Sequence, residues 1–443
     1  MTTTPEPIDL LIESRWIATV ESNAVLKNHA VAIDKGHIKA ILPASEARPR
    51  YSPRTLHVLP DHILIPGLIN LHTHAAMTLL RGLADDLPLM DWLQHHIWPA
   101  EAKHASPQFV YDGTLLACAE MLRGGITCFN DMYFFPNAAA EAALKLGMRA
   151  AIGLIAIDFP TAYAADVDDY LTKGMAIRDG LRDNSLLKFC LAPHAPYTVS
   201  DRSFAKVLTL AEQCDMPIHL HIHETRQEID DSISQFGVRP LERLRRLGVL
   251  GPAFIGVHGV HLEPAEIELL AQHGCSVAHC PSSNLKLASG ISPLALLTET
   301  GVNVGLGTDG AASNNRLDIL LEMRLASLLA KGHSGYAETI NAHQALHMAT
   351  LGGARALGLD TEIGSIRVGK MADLCALNIN DSMLAPCYDP ASLLAYSAGR
   401  EHVSDVWVAG TARVSDGKLL ARDEIGLIRL AALWQNQIRP RDV

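Results

Sequence analysis

Residues 216–224 read MPIHLHIHE, and their alternation decides the fold. On an extended chain Ile218, Leu220 and Ile222 fall on one face and His219, His221 and His223 on the other, because successive strand side chains point to opposite sides. A strand with one aliphatic and one imidazole face separates two unlike environments, as a barrel strand does between its helix layer and the barrel interior.

Seven more strand candidates surround this one. They are ILIPGLINLHTH (63–74), ITCFNDMYF (126–134), RAAIGLIAID (149–158), LKFCLAPHAPY (187–197), AFIGVHGV (253–260), CSVAHCPSS (275–283) and VNVGLGTDG (302–310). Amphipathic segments such as DGTLLACAEMLRGG, RSFAKVLTLAEQC and EPAEIELLAQHG lie between them. Eight strand–helix units predict a parallel (β/α)8 barrel over residues 66–364. Residues 1–65 and 365–443 instead carry short alternating strands between polar turns. They predict a small β-sandwich domain built from both termini.

The length of 443 residues suits such a barrel plus a companion domain. Hydrophobic residues at 48% and charged residues at 19% supply a large core and exclude a disordered chain. Thirty-seven Lys and Arg against 48 Asp and Glu leave a formal charge of −11. With no basic run, this argues against nucleic acid or a membrane surface as partner. Eight cysteines without a Cys-x-x-Cys pair read as small core residues of a reducing compartment. The first residues, MTTTPEPIDL, lack a basic-then-apolar leader. No apolar run approaches the roughly 20 residues of a membrane span, so a soluble cytoplasmic protein is expected.

Barrel sites collect at the C-terminal ends of the strands. Here those ends carry His72 and His74, His194, His221 followed by Glu224, His258, His279, and Asp309. Burying so many imidazoles and carboxylates without a cation or mutual partners is costly. A lone His-x-His is equally well two satisfied polar residues. Joined to the other strand ends, His72, His74, His221 and Asp309 predict the ligands of one divalent ion. Zinc suits three nitrogens and one oxygen with a position left open, and Fe2+ or Mn2+ also fits. Such an ion lowers the pKa of water from 15.7 to about 7, of order 12 kcal/mol of hydroxide stabilisation.

Proton transfers need side chains. Glu224 follows His221 by three residues and is predicted as the general acid/base. Its other reading is an acidic residue at the start of the helix ETRQEIDD. His258 is expected to polarise or position the attacked substituent. Asp309 is expected to bind the ion and accept a proton from water. His279 is placed in the pocket, and His219 and His223, sharing a face with His221, are expected to support it. His95, His96 and His104 read as solvated. A second ion needs a bridging lysine late on strand three or four; Lys188 stands only at the start of strand four, so a mononuclear site is expected.

These residues carry a resemblance. PGLINLHTHAAMTLLRGLADD, the His221-x-x-Glu224-Thr225 step, VHGVHL, PSSNLKLASGISP, GLGTDGAASNN and GSIRVGKMADLCAL resemble the amidohydrolase superfamily over nearly the whole chain. Within it they are similar to the branch of 5'-methylthioadenosine/S-adenosylhomocysteine deaminases, with guanine deaminases and chlorohydrolases as cousins. The resemblance implies hydrolytic deamination at C6 of an adenine ring, with Glu224 protonating the ring nitrogen and then the leaving amine. It implies that Glu101, in WPAEAKH, accepts hydrogen bonds from ribose hydroxyls, and that His194, in APHAPYTVS, contacts the nucleoside. Read alone, Glu101 is a surface helix residue and His194 a core histidine.

Some relatives carry an arginine in strand three; the matching stretch here is GLIAIDFP, with Leu154 at that place. The absent cation implies a preference for methylthioadenosine over S-adenosylhomocysteine and adenosine. Leu87, Met90 and Trp92 either form an apolar lid over the thioether or pack as ordinary core. Competing expectations are deamination of guanine or 8-oxoguanine, hydrolysis of a substituted triazine, and an inactive scaffold. A homo-oligomer is expected by family likeness.

Overall fold

The computed structural model describes residues 4–439. Residues 1–3 and 440–443, included above in the N-terminal reading and the small β domain, lie outside the described residues. Eight parallel strands follow one another in chain order: Leu68–Thr73, Ile126–Tyr133, Arg149–Ala156, Leu187–Pro193, Ile218–Ile222, Phe254–His258, Ser276–His279 and Asn303–Leu306. Each matches one expected strand. Nearly every strand residue is buried, as a sheet covered on both faces requires.

The sheet curls until its ends meet. Thr308 and Asp309 N–H groups both donate to the His72 carbonyl, at 3.1 and 3.0 Å. The Asn70 side chain spans the same seam, donating to Thr308 Oγ1 at 2.7 Å and accepting from Thr308 N at 2.9 Å. The last strand is thereby locked to the first at the end where His72, His74 and Asp309 emerge. The surrounding helices begin as their sequences direct: Ser106, Asp166, Ser200, Thr225 and Asp318 each accept a backbone N–H of the following first turn.

The strands outside the barrel form one continuous eight-stranded sheet. Its order is Lys418–Leu419, Thr411–Ser415, Val403–Val408, Leu374–Asn378, Tyr51–Pro66, Glu6–Ala18, Val25–Asp34 and His37–Pro43. The pairing is antiparallel apart from Glu6–Ala18 beside Tyr51–Pro66. Strand Tyr51–Pro66 runs through Gly67 directly into the barrel. A Cβ on Gly67 would stand 2.0 Å from Thr127 Oγ1, so a larger residue would block the crossing. A buried ion pair joins the two parts: Arg149 Nε lies 2.9 Å from Asp373 Oδ2, the side chains 1% and 2% exposed.

Helices Pro390–Tyr396 and Glu424–Ile438 stand where only strands were expected. The second packs on the barrel helix Pro107–Arg123, with Trp434 Nε1 donating to Asp112 Oδ2 at 2.9 Å. No described helix is long and apolar enough to cross a membrane. All eight cysteines are free, and six are buried.

Candidate active site

The strand ends bring His72, His74, His221 and Asp309 together. Asp309 Oδ1 lies 3.2 Å from His72 Nε2 and 3.3 Å from His74 Nε2. His221 Nε2 lies 3.3 Å from His72 Nε2. The far nitrogen of each ring is engaged by the fold. His74 Nδ1 donates to Met132 O and His221 Nδ1 to His194 O, both at 2.6 Å. His72 Nδ1 lies 3.0 Å from His219 Nε2. A carbonyl can only accept, so the Nδ1 atoms of His74 and His221 carry protons and their Nε2 atoms point inward.

Burial pushes His72 down to about 4 and His221 well below its ordinary value, so both rings are neutral at pH 7. The neutral His72 and His221 rings thus face one another beside the His74 ring and the Asp309 carboxylate. A divalent cation satisfies that arrangement, and the set of three nitrogens and one carboxylate oxygen suits zinc. His72, His74 and Asp309 form one cluster with ligand-like spacing; His72, His221 and His258 form another. Lys188, at the opposite end of its strand, lies 3.5 Å from Glu362.

Glu224 is buried beside this cluster, its Oε2 3.7 Å from His258 Nε2. Burial raises the carboxyl above its usual range, which favours a proton-carrying form. The His258 ring is held through Nδ1 by Asn284 Oδ1 at 2.8 Å and stacks 5.5 Å from His221 at 17°. His258 and Asp309 adopt left-handed φ values of 71° and 60°, strain of a kind that concentrates at functional sites.

His74, His221, Glu224, His258 and Asp309 form one wall of a cavity of about 480 Å³, with His72 behind them. Glu101, His194 and Trp92 line it as well. Glu101 is 8% exposed. Burial pushes its carboxyl up to about 7 against a 2.6 Å hydrogen bond donated by Tyr133 Oη. Its reading as a surface helix residue therefore does not hold. Burial lowers His194 to about 3. Leu89, Leu93, Trp98, Ile155, Ile157 and Phe159 supply apolar wall, the Trp98 and Phe159 rings meeting at 6.4 Å. No lysine or arginine lines the cavity among the described residues.

Several expected residues lie elsewhere. His279 is buried and does not line the cavity; its Nδ1 has no partner among the described residues. His223 adopts φ 51°, which turns it off the face of His221; its Nε2 accepts from Leu241 N at 3.0 Å. Leu154 is buried beside Gly174, and its neighbour Ile155 faces the cavity. Of the lid trio, Trp92 lines the cavity and Leu87 and Met90 do not. His95 and His96 are exposed, and His104 is half-buried.

Tyr133 and Trp98 were not singled out from the sequence. Tyr133 ends the second barrel strand, a position that by itself marks a candidate. Leu89, Trp92 and Leu93 show helical three-and-four spacing that could have identified the wall.

A sequence model of the amidohydrolase family matches residues 63–413. A protein of Saccharophagus degradans named 5-methylthioadenosine/S-adenosylhomocysteine deaminase is 46% identical over 438 residues, covering 99% of this chain and 98% of its own. A 5'-deoxyadenosine deaminase of Methanothermobacter thermautotrophicus is 43% identical over 83% of this chain and 86% of its own. The crystal structure of an adenosine deaminase from Xanthomonas campestris with bound zinc superposes with a TM-score of 0.97 at 50% identity, covering 98% of this chain and all of that one.

Proposed function

The chain belongs to the amidohydrolase family, and we propose that it is a zinc-dependent hydrolytic deaminase of adenine nucleosides, acting best on 5'-methylthioadenosine. Water and the C6 amine are exchanged: a C–O bond forms, the C–N bond breaks, and an inosine-type product and ammonia leave. The observation that carries this reading is the buried Glu224 carboxyl beside His258 and the convergent His72, His74, His221 and Asp309 set. It agrees with the deaminase names of relatives that match almost the whole chain.

His72, His74, His221 and Asp309 would hold the divalent ion, which when bound would supply the nucleophile by acidifying water. Glu224 gives a proton to the ring nitrogen next to C6, which makes that carbon electrophilic. The hydroxyl added at C6 then yields its proton, which Glu224 passes to the departing amine, leaving the C6 carbonyl and ammonia. His258, fixed by Asn284, orients the groups at C6. Glu101 accepts hydrogen bonds from the ribose hydroxyls, and His194 packs along the nucleoside.

The 5' end meets Trp98, Phe159 and Ile157. An apolar thioether is at home against them, whereas the charged tail of S-adenosylhomocysteine loses water without gaining a cationic partner. S-adenosylhomocysteine and adenosine are the weaker substrates. We assign catalysis to the barrel, residues 66–364, and the two flanking stretches to a separate β domain. Buried free cysteines support a reducing, cytoplasmic setting, and assembly as a homo-oligomer rests on family likeness.

The test is ammonia release measured with the three nucleosides and with guanine. The reading requires the highest kcat/KM for methylthioadenosine; faster turnover of guanine or of S-adenosylhomocysteine contradicts it.

A further inference from the structure

Every oxygen of Asp309 is held by a donor outside the histidine cluster. Its carbonyl accepts from Thr73 Oγ1 at 3.0 Å and Thr308 Oγ1 at 2.9 Å. Oδ1 accepts from Gly310 N at 2.7 Å. Oδ2 accepts from two hydroxyls, Ser283 Oγ and Ser313 Oγ, each at 2.7 Å. A carboxylate offers about four lone-pair directions. The two serines fill both on Oδ2, and Gly310 fills one on Oδ1. The direction left over belongs to Oδ1, the oxygen beside His72 and His74.

The two serines are themselves anchored. Ser283 follows the seventh barrel strand, and Ser313 belongs to the short helix Ala311–Asn314 after the eighth. Glu322, fully buried on helix Ile319–Ser334, ties both segments together. Its Oε2 accepts from Ser282 N at 3.0 Å, and its Oε1 accepts from Asn314 Nδ2 at 2.8 Å. The neighbours of both serines thus hang on one carboxylate, and the serines are 0% and 2% exposed.

We propose that Ser283 and Ser313 are positioning residues that set the metal affinity of the site: by occupying Asp309 Oδ2 they present Oδ1 alone to the ion. This rests on reading His72, His74, His221 and Asp309 as the ligand set. Partners that orient a metal ligand typically change affinity by about 10–100-fold.

The experiment is zinc competition against a chromogenic chelator at fixed pH. It compares the full-length wild type with Ser283→Ala, Ser313→Ala, the double variant and Ser289→Ala. The Ser289 hydroxyl is buried without a partner among the described residues, so that variant controls for loss of a buried hydroxyl nearby. The double variant should bind zinc about 10–100-fold more weakly. Each single variant should fall between, and Ser289→Ala should match wild type. If the double variant fails to fold, the single variants carry the test. Unaltered affinity in the serine variants, or an equal loss in Ser289→Ala, overturns the inference. Absence of zinc uptake by wild type overturns the ligand assignment itself, and this inference with it.

Discussion

Glu228 holds the backbone of Glu224. One Glu228 oxygen accepts the Glu224 N–H at 2.8 Å, and the other accepts the His223 N–H at 2.9 Å. Glu228 lies in the first turn of helix Arg226–Phe236, and its own N–H bonds to the capping Thr225 hydroxyl at 3.2 Å. The strand end and the helix start therefore lock each other, and the proposed proton carrier sits between them.

Glu228→Gln replaces one acceptor oxygen with a donor amide, so one arm of this clamp must open. A buried donor left unsatisfied costs about 1–3 kcal/mol, only part of which reaches the reaction. We expect kcat to fall about tenfold while KM and zinc content stay near wild type. Steady-state kinetics with metal analysis checks this; a rise in KM at constant kcat would assign Glu228 to substrate binding instead.

Glu224→Gln keeps the shape and removes the titrating group. It should retain zinc and lose about 10²–10⁴-fold in kcat, the usual range for a general acid/base. Activity close to wild type would remove Glu224 from the mechanism.

Tyr133→Phe removes the hydrogen bond that opposes the burial-driven rise of Glu101, which stands at about 7. The Glu101 pKa should therefore rise further. The ionised form, which accepts from ribose, then appears only at higher pH. The acidic limb of the kcat/KM profile should move to higher pH, and a shift to lower pH would contradict the Tyr133–Glu101 coupling.

Phe159→Arg places a cation at the half-exposed rim of the apolar wall. An exposed ion pair contributes about 0.2–1 kcal/mol. The ratio of kcat/KM for S-adenosylhomocysteine over methylthioadenosine should therefore rise by roughly 1.5- to 5-fold. An unchanged ratio would mean that the 5' end points elsewhere.

Asp373→Ala strands Arg149, which also donates to Ser185 O at 2.9 Å. An unpaired buried guanidinium costs about 3–5 kcal/mol. Chemical denaturation should show a loss of that size. A loss below about 1 kcal/mol would mean that water reaches Arg149 and replaces its partner.

The barrel was legible because its strands contrast sharply with their surroundings, as in Ile218–Ile222 between polar turns. The ligand set was legible because histidines and a carboxylate stood at strand ends. Which residue of the third strand faces the cavity was not legible: Leu154 packs beside Gly174 and Ile155 lines the cavity, and a one-residue change of parity exchanges them. The expected support of His221 by His223 fails because alternation ends where φ turns positive. Ser283 and Ser313 lay inside motifs already quoted, but a hydroxyl has no spacing rule of its own. Only the folded chain shows both reaching one oxygen. Helix Glu424–Ile438 was hidden by its composition: Ile425, Ile428 and Leu433 are exposed, which blurs the one-sided pattern by which a surface helix is read.

The central claim is a single ion held by His72, His74, His221 and Asp309 and required for turnover. Titrating zinc into metal-free protein while following ammonia release from methylthioadenosine tests it most directly. Activity should start near zero, rise linearly, and stop at one equivalent per chain. Full activity without metal, or a break at two equivalents, would contradict it.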